Sequence, residues 1–201
     1  FIRFLNKNRG SSSTNNENNV PKRVGRIRGD GSGGIDYISS FTGMHATVTE
    51  LKPEHKVGMI MVSTGEIWIK GSVETCLPRT APTDIPKDKR VFGILGELEP
   101  EFEGYSANKP PRENESQVQV YSIGEGAVLV TNIGGNIENG DYICSSEILG
   151  YGMLQDDDLL HNYTVAKCTE TINWDDPELE TIEHNGQMYK VYLAACTYHC
   201  G

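Results

Sequence analysis

The chain lacks any apolar run long enough to cross a membrane. A membrane-spanning helix needs roughly 18 consecutive apolar residues, and no stretch of the 201 residues approaches that length. The first residues also lack the charged start, apolar centre and small-residue cleavage site of a signal peptide. The sequence therefore predicts a protein that is not inserted in a membrane.

Paired cysteine motifs are missing as well. The five cysteines are Cys76, Cys144, Cys168, Cys196 and Cys200. An odd number without a Cys-x-x-Cys pair favours reduced thiols over a disulfide framework, and hence assembly in a reducing compartment. Cys196, His199 and Cys200 have the spacing of half a zinc site. Because no second ligand pair accompanies them, neither a metal nor a cofactor is predicted.

Helical periodicity is absent too. No window of ten or more residues places apolar side chains at the 3.6-residue spacing of an amphipathic helix. Short apolar alternations recur instead, and 22 residues are glycine. Asn139-Gly140 and Asn185-Gly186 are typical of type I′ hairpin turns, and Ser63–Gly65 and Gly124–Gly126 are further predicted reversals. The predicted fold class is all-β, with ten to twelve short strands.

Basic residues are scarce outside the first thirty positions. The formal net charge is -10, yet residues 1–30 carry seven basic and two acidic side chains, so they contribute +5 and the remainder -15. This acidic body argues against a nucleic-acid-binding surface. The first forty residues contain few large apolar side chains, and residues 10–20 are a polar, low-complexity insertion. The sequence therefore predicts a short β-structured stem segment over 1–40, followed by a compact multi-stranded β domain over 41–201.

An acidic triplet followed by a histidine is the segment with the most evident chemistry. It consists of Asp156, Asp157, Asp158, Leu159, Leu160 and His161. Carboxylates bind hard cations, but adjacent side chains of an extended segment point to opposite faces and do not converge on one ion. An aspartate can instead cap a single helical turn over 157–161. An aspartate beside His161 can also support acid–base catalysis, although no Gly-x-Ser-x-Gly elbow accompanies it.

Several stretches of the chain together resemble the C-terminal region of phage and large-virus fibre proteins. They are FIRFLN, VGRIRGDGSGGIDYISSFTGMH, VFGIL, GEGAVLVTNIGGNIENGDYICSSEILGYGMLQDDDLLHNYTVAK and CTYHCG. The resemblance is to tail-spike, fibre and neck-appendage proteins that end in an intramolecular chaperone or self-cleaving peptidase domain. It is most specific over residues 117–168.

The resemblance implies a homotrimer on a virion surface appendage. In that family the terminal domain brings three copies of the upstream fibre stem of the same polypeptide into register. The apolar residues of the stem then contact identical neighbours, and the two leucines of the acidic triplet lie inside the domain or at a subunit contact. The implied contact residues are Ile2, Phe4, Leu5, Val24, Ile27, Ile35, Tyr37, Leu159 and Leu160. The predicted function is therefore that of a structural trimerisation and chaperone domain.

Two alternatives remain open. Some members of the family cleave their own chain at the stem junction, one branch with serine and lysine and another with an acidic residue. The candidate catalytic residues for such a single-turnover autoprotease are Ser39, Ser40, Asp36 and His161, but no lysine lies within a few residues of the serines. The other alternative is a ligand- or cation-binding β domain. In the main prediction Asp156–Asp158 cap a tight turn, Asn139 and Gly140 form another, and no external substrate is turned over.

Overall fold

The structure is almost entirely β. The computed structural model describes residues 26–29, 35–38, 42–69, 76–98, 112 and 114–200. The one helical element in these ranges is a single 3₁₀ turn at Asn132–Gly134. The strands are β1 Arg26–Gly29, β2 Ile35–Ile38, β3 Thr42–Glu50, β4 Ile60–Ile69, β5 Cys76–Pro82, β6 Val91–Leu98, β7 Glu115–Thr131, β8 Tyr142–Ser145, β9 Gly152–Leu154, β10 Thr164–Cys168, β11 Thr181–His184 and β12 Gln187–His199. The predicted all-β class is confirmed.

The chain divides into a small unit, residues 1–39, and a large unit, residues 40–201. This boundary lies one residue before the one expected between stem and domain. In the small unit β1 and β2 form an antiparallel pair, with Ile27 opposite Tyr37 and Arg28 opposite Asp36. The remaining predicted features of this region lie outside the described residues: Ile2, Phe4, Leu5, Val24, the insertion over 10–20, Ser39 and Ser40.

The ten strands of the large unit form a sheet that closes on itself twice. The first ring runs from β7 through β3, β5, β4 and β6 back to β7. The second ring runs from β7 through β9, β8, β10 and β12 back to β7. Strand β11 pairs with β12 outside the second ring. Each ring contains one parallel contact, Val48 opposite Arg79 in the first and Val130 opposite Gly152 in the second. Because closure pairs strand edges with one another, the large unit is a self-contained fold.

Strand β7 belongs to both rings. Its first half pairs with β3 and β6, and its second half pairs with β12 and β9. Val118, Val120, Val128 and Val130 alternate along it and are fully buried. This alternation places one face of β7 against the core along both halves of the strand.

The predicted reversal at Gly124–Gly126 is wrong, because β7 continues through these residues where the two rings meet. Gly124 has φ +104°, a left-handed value that favours glycine. A Cβ on Gly126 would overlap the phenol ring of Tyr198. The Tyr198 hydroxyl donates to the carbonyl oxygen of Ala127 and accepts from its N–H, both at 2.8 Å. Gly126 therefore leaves room for the ring of Tyr198 from the paired strand β12, and no turn forms here.

The hairpin predicted at Asn185-Gly186 is confirmed. Both residues have positive φ, 52° and 78°, and they join the antiparallel strands β11 and β12, as a type I′ turn requires. The hairpin predicted at Ser63–Gly65 is wrong. Strand β4 runs through these residues, and its register against β5 is irregular between Ser63 and Ile67, which is the signature of a β-bulge.

Asn139 and Gly140 form a turn but not a hairpin. Only Gly140 has positive φ, 102°, and the N–H of Asp141 donates to the carbonyl oxygen of Glu138 at 3.1 Å. A positive φ at the third residue alone is the pattern of a type II turn. The turn leads into β8 and does not connect two paired strands.

Buried apolar side chains form two clusters. One includes Ile143, Val165 and Trp174, and the other includes Met61 and Leu95. Burying one large aliphatic side chain contributes roughly 1.5–3 kcal/mol to folding, so these clusters supply the main stabilisation. Among the described residues, no helix has the length and apolar character needed to span a bilayer.

Candidate functional site

The acidic triplet lies in the connection between β9 and β10. This connection, which we name the acidic loop, comprises residues 155–163. The helical turn predicted over 157–161 is wrong, since the chain forms bends there and no helix. The shape of the loop is set by hydrogen bonds from side chains to its backbone.

Gln155 stabilises the acidic loop from the inside, with only 4% of its surface exposed. Its Nε2 donates to the carbonyl oxygens of Asp157 at 3.1 Å and Leu159 at 2.7 Å, and it lies 3.0 Å from Oδ1 of Asp157. Its Oε1 accepts from the Thr164 hydroxyl at 2.7 Å. The Thr164 oxygen in turn accepts from the backbone N–H of His161 at 2.9 Å. One buried amide therefore connects both ends of the loop.

Asp157 and His161 form a hydrogen-bonded pair across the loop. Nε2 of His161 lies 3.0 Å from each carboxylate oxygen of Asp157. Oδ1 of Asp157 also accepts from the backbone N–H of Leu159 at 2.9 Å. The bond from Leu159 and then the bond from His161 lower the pKa of Asp157. Because this carboxylate is ionised at neutral pH, Nε2 is the donor in the pair.

Asp156 binds a lysine from a different connection. Nζ of Lys87 lies 2.6 and 2.7 Å from the two carboxylate oxygens and 5.7 Å from the ring centre of Tyr163. The imidazole of His161 stacks on the same tyrosine ring, with centroids 4.6 Å apart. The ion pair raises the pKa of Lys87 and lowers the pKa of Asp156. It joins the acidic loop to the connection between β5 and β6.

The tip of the acidic loop is exposed. Leu159 and Leu160 are exposed by 64% and 62%, so the expectation that they pack inside their own domain is wrong. Their contact with another subunit stays a prediction. Asp158 is exposed and makes no hydrogen bond or ion pair within the part of the chain that the structure describes. Of the three aspartates, only Asp157 caps the turn.

The acidic loop does not converge on a catalytic or metal-binding arrangement. Asp156 and Asp157 are directed to different partners, Lys87 and His161. No group of three histidine, cysteine or acidic side chains that could hold a metal is present over the described ranges. The Thr164 hydroxyl bonds to the backbone of His161 and to Gln155 rather than to the imidazole. A nucleophile activated by a base needs that missing bond, so the arrangement fits a clamp on the loop.

A buried carboxylate beside Lys87 was not identified from the sequence. Asp88 is only 4% exposed. Its carboxylate accepts two hydrogen bonds from the Arg90 guanidinium, at 2.9 and 2.6 Å. It also accepts from the backbone N–H of Arg90 at 3.0 Å and from the Thr83 hydroxyl at 2.7 Å. The N–H of Asp88 donates to Oγ of Ser145 at 2.9 Å. Hydrogen bonds from Arg90 lower the pKa of Asp88 to about 2. The only available signal was an Asp-x-Arg spacing in a proline-containing loop.

A second group of charges lines an open cleft of about 280 Å³ beside β3, β5 and the start of β7. Nε of Arg79 donates to Glu115 at 2.7 Å, and Arg112 donates to Glu66 at 2.6 Å. Arg112 also lies 3.5 Å from Glu115, and Arg79 3.8 Å from Glu66. The two arginines and two glutamates alternate, so these four charges neutralise one another. The sequence offers no signal for this group of four charges, because Glu66 and Arg79 lie on other strands, far along the chain from Arg112 and Glu115.

An apolar strip lies on the outer faces of β7 and β12. Leu129 is opposite Leu193, and Ala127 is opposite Ala195. Leu193 is 52% exposed and Ala195 is exposed, whereas Leu129 is half-buried and packs against the cluster that includes Met61 and Leu95. The backbone of Gly58 packs beside both leucines. We name these four side chains the outer strip. The sequence VYLAAC, residues 191–196, is the signal for the outer strip. A strand that is apolar on both faces needs a packing partner for each face.

Removing the Asp157 side chain is expected to loosen the acidic loop. Asp157→Ala removes both the turn-capping bond to Leu159 and the bond to His161, so the melting temperature should fall by roughly 2–4 °C. Asp158→Ala is the matched control one residue away, and it should leave the melting temperature unchanged. Thermal denaturation followed by circular dichroism measures both variants. Equal effects of the two changes would contradict the assignment of Asp157 as the cap.

Neither a scan against protein-family models nor a search of curated proteins matched this chain. The resemblance to fibre-end chaperone domains therefore stays a prediction from the sequence motifs over residues 117–168.

Proposed function

We propose that this chain is the C-terminal region of a fibre- or spike-like protein, in which the large unit assembles as a homotrimer and guides the β stem. The supporting observation is the contrast between the two units. The large unit has ten strands in two closed rings, whereas β1 and β2 have only four residues each. An isolated two-stranded pair is marginally stable in water. The small unit therefore gains most from being held beside identical copies.

Association of the large unit supplies the missing stability. Pairing of three separate stems is non-local and depends on concentration, so it is slow for free chains. Once three large units are joined, their stems are tethered at a high effective concentration. The stems then find their register in an intramolecular step. In this role the protein is part of an appendage on the surface of a virion, and it turns over no external substrate.

The outer strip is the surface that best fits a contact between subunits. The large unit, residues 40–201, carries a net charge of -14, so two large units repel each other electrostatically. A stable contact consequently needs a patch without charged side chains. Ala127, Leu129, Leu193 and Ala195 are uncharged neighbours on adjacent strands, and the Glu170 carboxylate marks the edge of the strip, where it accepts from the N–H of Ala195 at 2.7 Å.

The native mass of the purified chain tests this proposal. We expect three times the chain mass of 22.2 kDa in native mass spectrometry and in light scattering. Leu193→Glu should shift the mass to that of the monomer, because it places a charge in the apolar contact. Its circular dichroism spectrum should not change, since Leu193 is half exposed in the single chain.

Leu160→Glu tests the second candidate contact, because Leu160 is similarly exposed but lies on the acidic loop. It should keep the trimer mass if the outer strip alone forms the contact. Dissociation by Leu160→Glu but not by Leu193→Glu would place the contact on the acidic loop, as the family resemblance implies. A monomeric wild-type chain would contradict the trimer itself.

A further inference from the structure

Two of the five cysteines face each other across neighbouring strands of the second ring. Cys168 in β10 is directly opposite Cys196 in β12. The N–H of Thr169 donates to the carbonyl oxygen of Ala195 at 3.0 Å, which makes the two cysteines a non-hydrogen-bonded pair of the antiparallel ladder. In such a pair the Cα atoms are about 4.5 Å apart and the side chains approach most closely.

The two thiols share the same buried cluster. Cys168 and Cys196 are 1% and 2% exposed. Sγ of Cys168 donates to the carbonyl oxygen of Glu170 at 3.2 Å and lies 3.6 Å from that of Ala195 in β12, so the thiol lies beside β12. Burial raises the pKa of Cys196 to about 12, and the neighbouring Cys168 adds to this effect. In the folded domain both thiols are therefore protonated and react slowly.

The other three cysteines have no comparable partner. Cys76 is opposite Ile69, and Cys144 is opposite Met153. The thiol of Cys200 donates to the carbonyl oxygen of Val165 at 3.2 Å. A disulfide needs Cα atoms within about 4.4–6.8 Å. Among the strand pairs that the structure describes, only Cys168 and Cys196 place two cysteines directly opposite each other.

We propose that Cys168 and Cys196 form a cross-strand disulfide when the domain folds under oxidising conditions. The bond fastens β12 to β10 and so secures the closure of the second ring. It closes a loop of about 30 residues, long enough for a cross-link to restrict the unfolded chain substantially. Such a bond departs from the reduced thiols expected from the number and spacing of the cysteines, because these carry no information on strand pairing.

A small-molecule disulfide such as oxidised glutathione serves as the oxidant. The thiolate of Cys168 attacks one of its sulfurs, which forms a mixed disulfide and releases one glutathione thiolate. The thiolate of Cys196 then attacks the Cys168 sulfur, which forms the protein disulfide and releases a second glutathione thiolate. The two glutathione thiolates take up the two protons that the cysteines lost, and two electrons have passed from the cysteine sulfurs to glutathione. Because the folded domain buries both thiols, the exchange precedes the docking of β12.

Refolding in a glutathione buffer tests the proposal. The full chain is denatured under reducing conditions and refolded with excess oxidised glutathione. Free thiols are then alkylated, and disulfides are mapped by mass spectrometry of peptides. We expect one linked pair of peptides, containing Cys168 and Cys196. The oxidised protein should melt roughly 10 °C above the reduced protein.

Two variants separate this bond from a general effect of oxidation. Cys168→Ala should give no linked peptides and the same melting temperature in both buffers, whereas Cys200→Ala should retain both the link and the shift. The proposal would be overturned if the folded protein contained other cysteine pairings or only free thiols. It would also be overturned if the oxidised protein melted no higher than the reduced protein. If Cys168→Ala fails to fold, the wild-type peptide map and melting temperatures decide the question alone.

Discussion

Replacement of Asp88 by asparagine is expected to lower the free energy of unfolding at pH 7 by about 2–3 kcal/mol. The carboxylate receives four hydrogen bonds from Arg90 and Thr83 while only 4% of the residue is exposed. An asparagine amide presents N–H groups on one side, so at least one of these donors is left facing another donor. The melting temperature should fall by roughly 5–10 °C. Urea and thermal denaturation at pH 7 measure both quantities.

The same carboxylate makes the domain sensitive to acid. Hydrogen bonds from Arg90 lower the pKa of Asp88 from 3.8 to about 2 in the folded chain, so the unfolded chain binds a proton more readily. The resulting stabilisation is complete above the unfolded pKa and is lost as the pH falls from about 4 to 2. It amounts to about 2 kcal/mol. Asp88→Asn removes this contribution, so the difference in stability between wild type and variant should shrink over that interval.

Asp84→Asn is the control for Asp88→Asn. Asp84 is an exposed aspartate in the same connection between β5 and β6, so its replacement should change stability by less than about 0.5 kcal/mol. It should also leave the acid transition in place. If Asp88→Asn and wild type lost stability in parallel between pH 4 and 2, Asp88 would not be the group responsible.

Local sequence signals predicted the fold class but not the path of the sheet. Asn185-Gly186 was correctly predicted because both residues of a type I′ turn are specified by their own φ angles. Gly124–Gly126 carries a similar local signal, yet Gly126 leaves room for the ring of Tyr198 on the paired strand β12, more than seventy residues away in the chain. Turn chemistry cannot distinguish these two uses of glycine. The distinction depends on which strands meet, and a single sequence does not encode that in any local pattern.

In the candidate site too, contacts between residues close in the chain were predictable from the sequence, whereas contacts between distant residues were not. That an aspartate of the triplet caps a turn follows from the preference of short acidic residues for bonds to nearby N–H groups, and Asp157 makes such a bond. The partner of Asp156 is Lys87, which lies 69 residues earlier. The opposition of Cys168 and Cys196 likewise follows from strand register. Contacts of this kind become predictable only when the order of strands is known.

Gln155→Glu is expected to destabilise the protein at pH 7 by about 3 kcal/mol. The change replaces the Nε2 donor of a buried amide by an oxygen that faces the carbonyl oxygens of Asp157 and Leu159 and the carboxylate of Asp157. Burial and these oxygens disfavour the charged form, so they raise the pKa of the introduced glutamate above its ordinary value of about 4.3. Urea denaturation at pH 7 gives the size of the effect.

The pH dependence of Gln155→Glu should have the opposite sign to that of Asp88. A protonated glutamate can donate one hydrogen bond to the loop carbonyls, so the folded state favours the acid form. The variant should therefore regain stability relative to wild type as the pH falls from 7 to 5, above the interval in which Asp88 titrates. Gln187→Glu, at an exposed position on β12, should show neither the loss nor the recovery. If Gln155→Glu were as stable as wild type at pH 7, the buried amide would not hold the acidic loop, and its shape would depend on Asp157 and Lys87 instead.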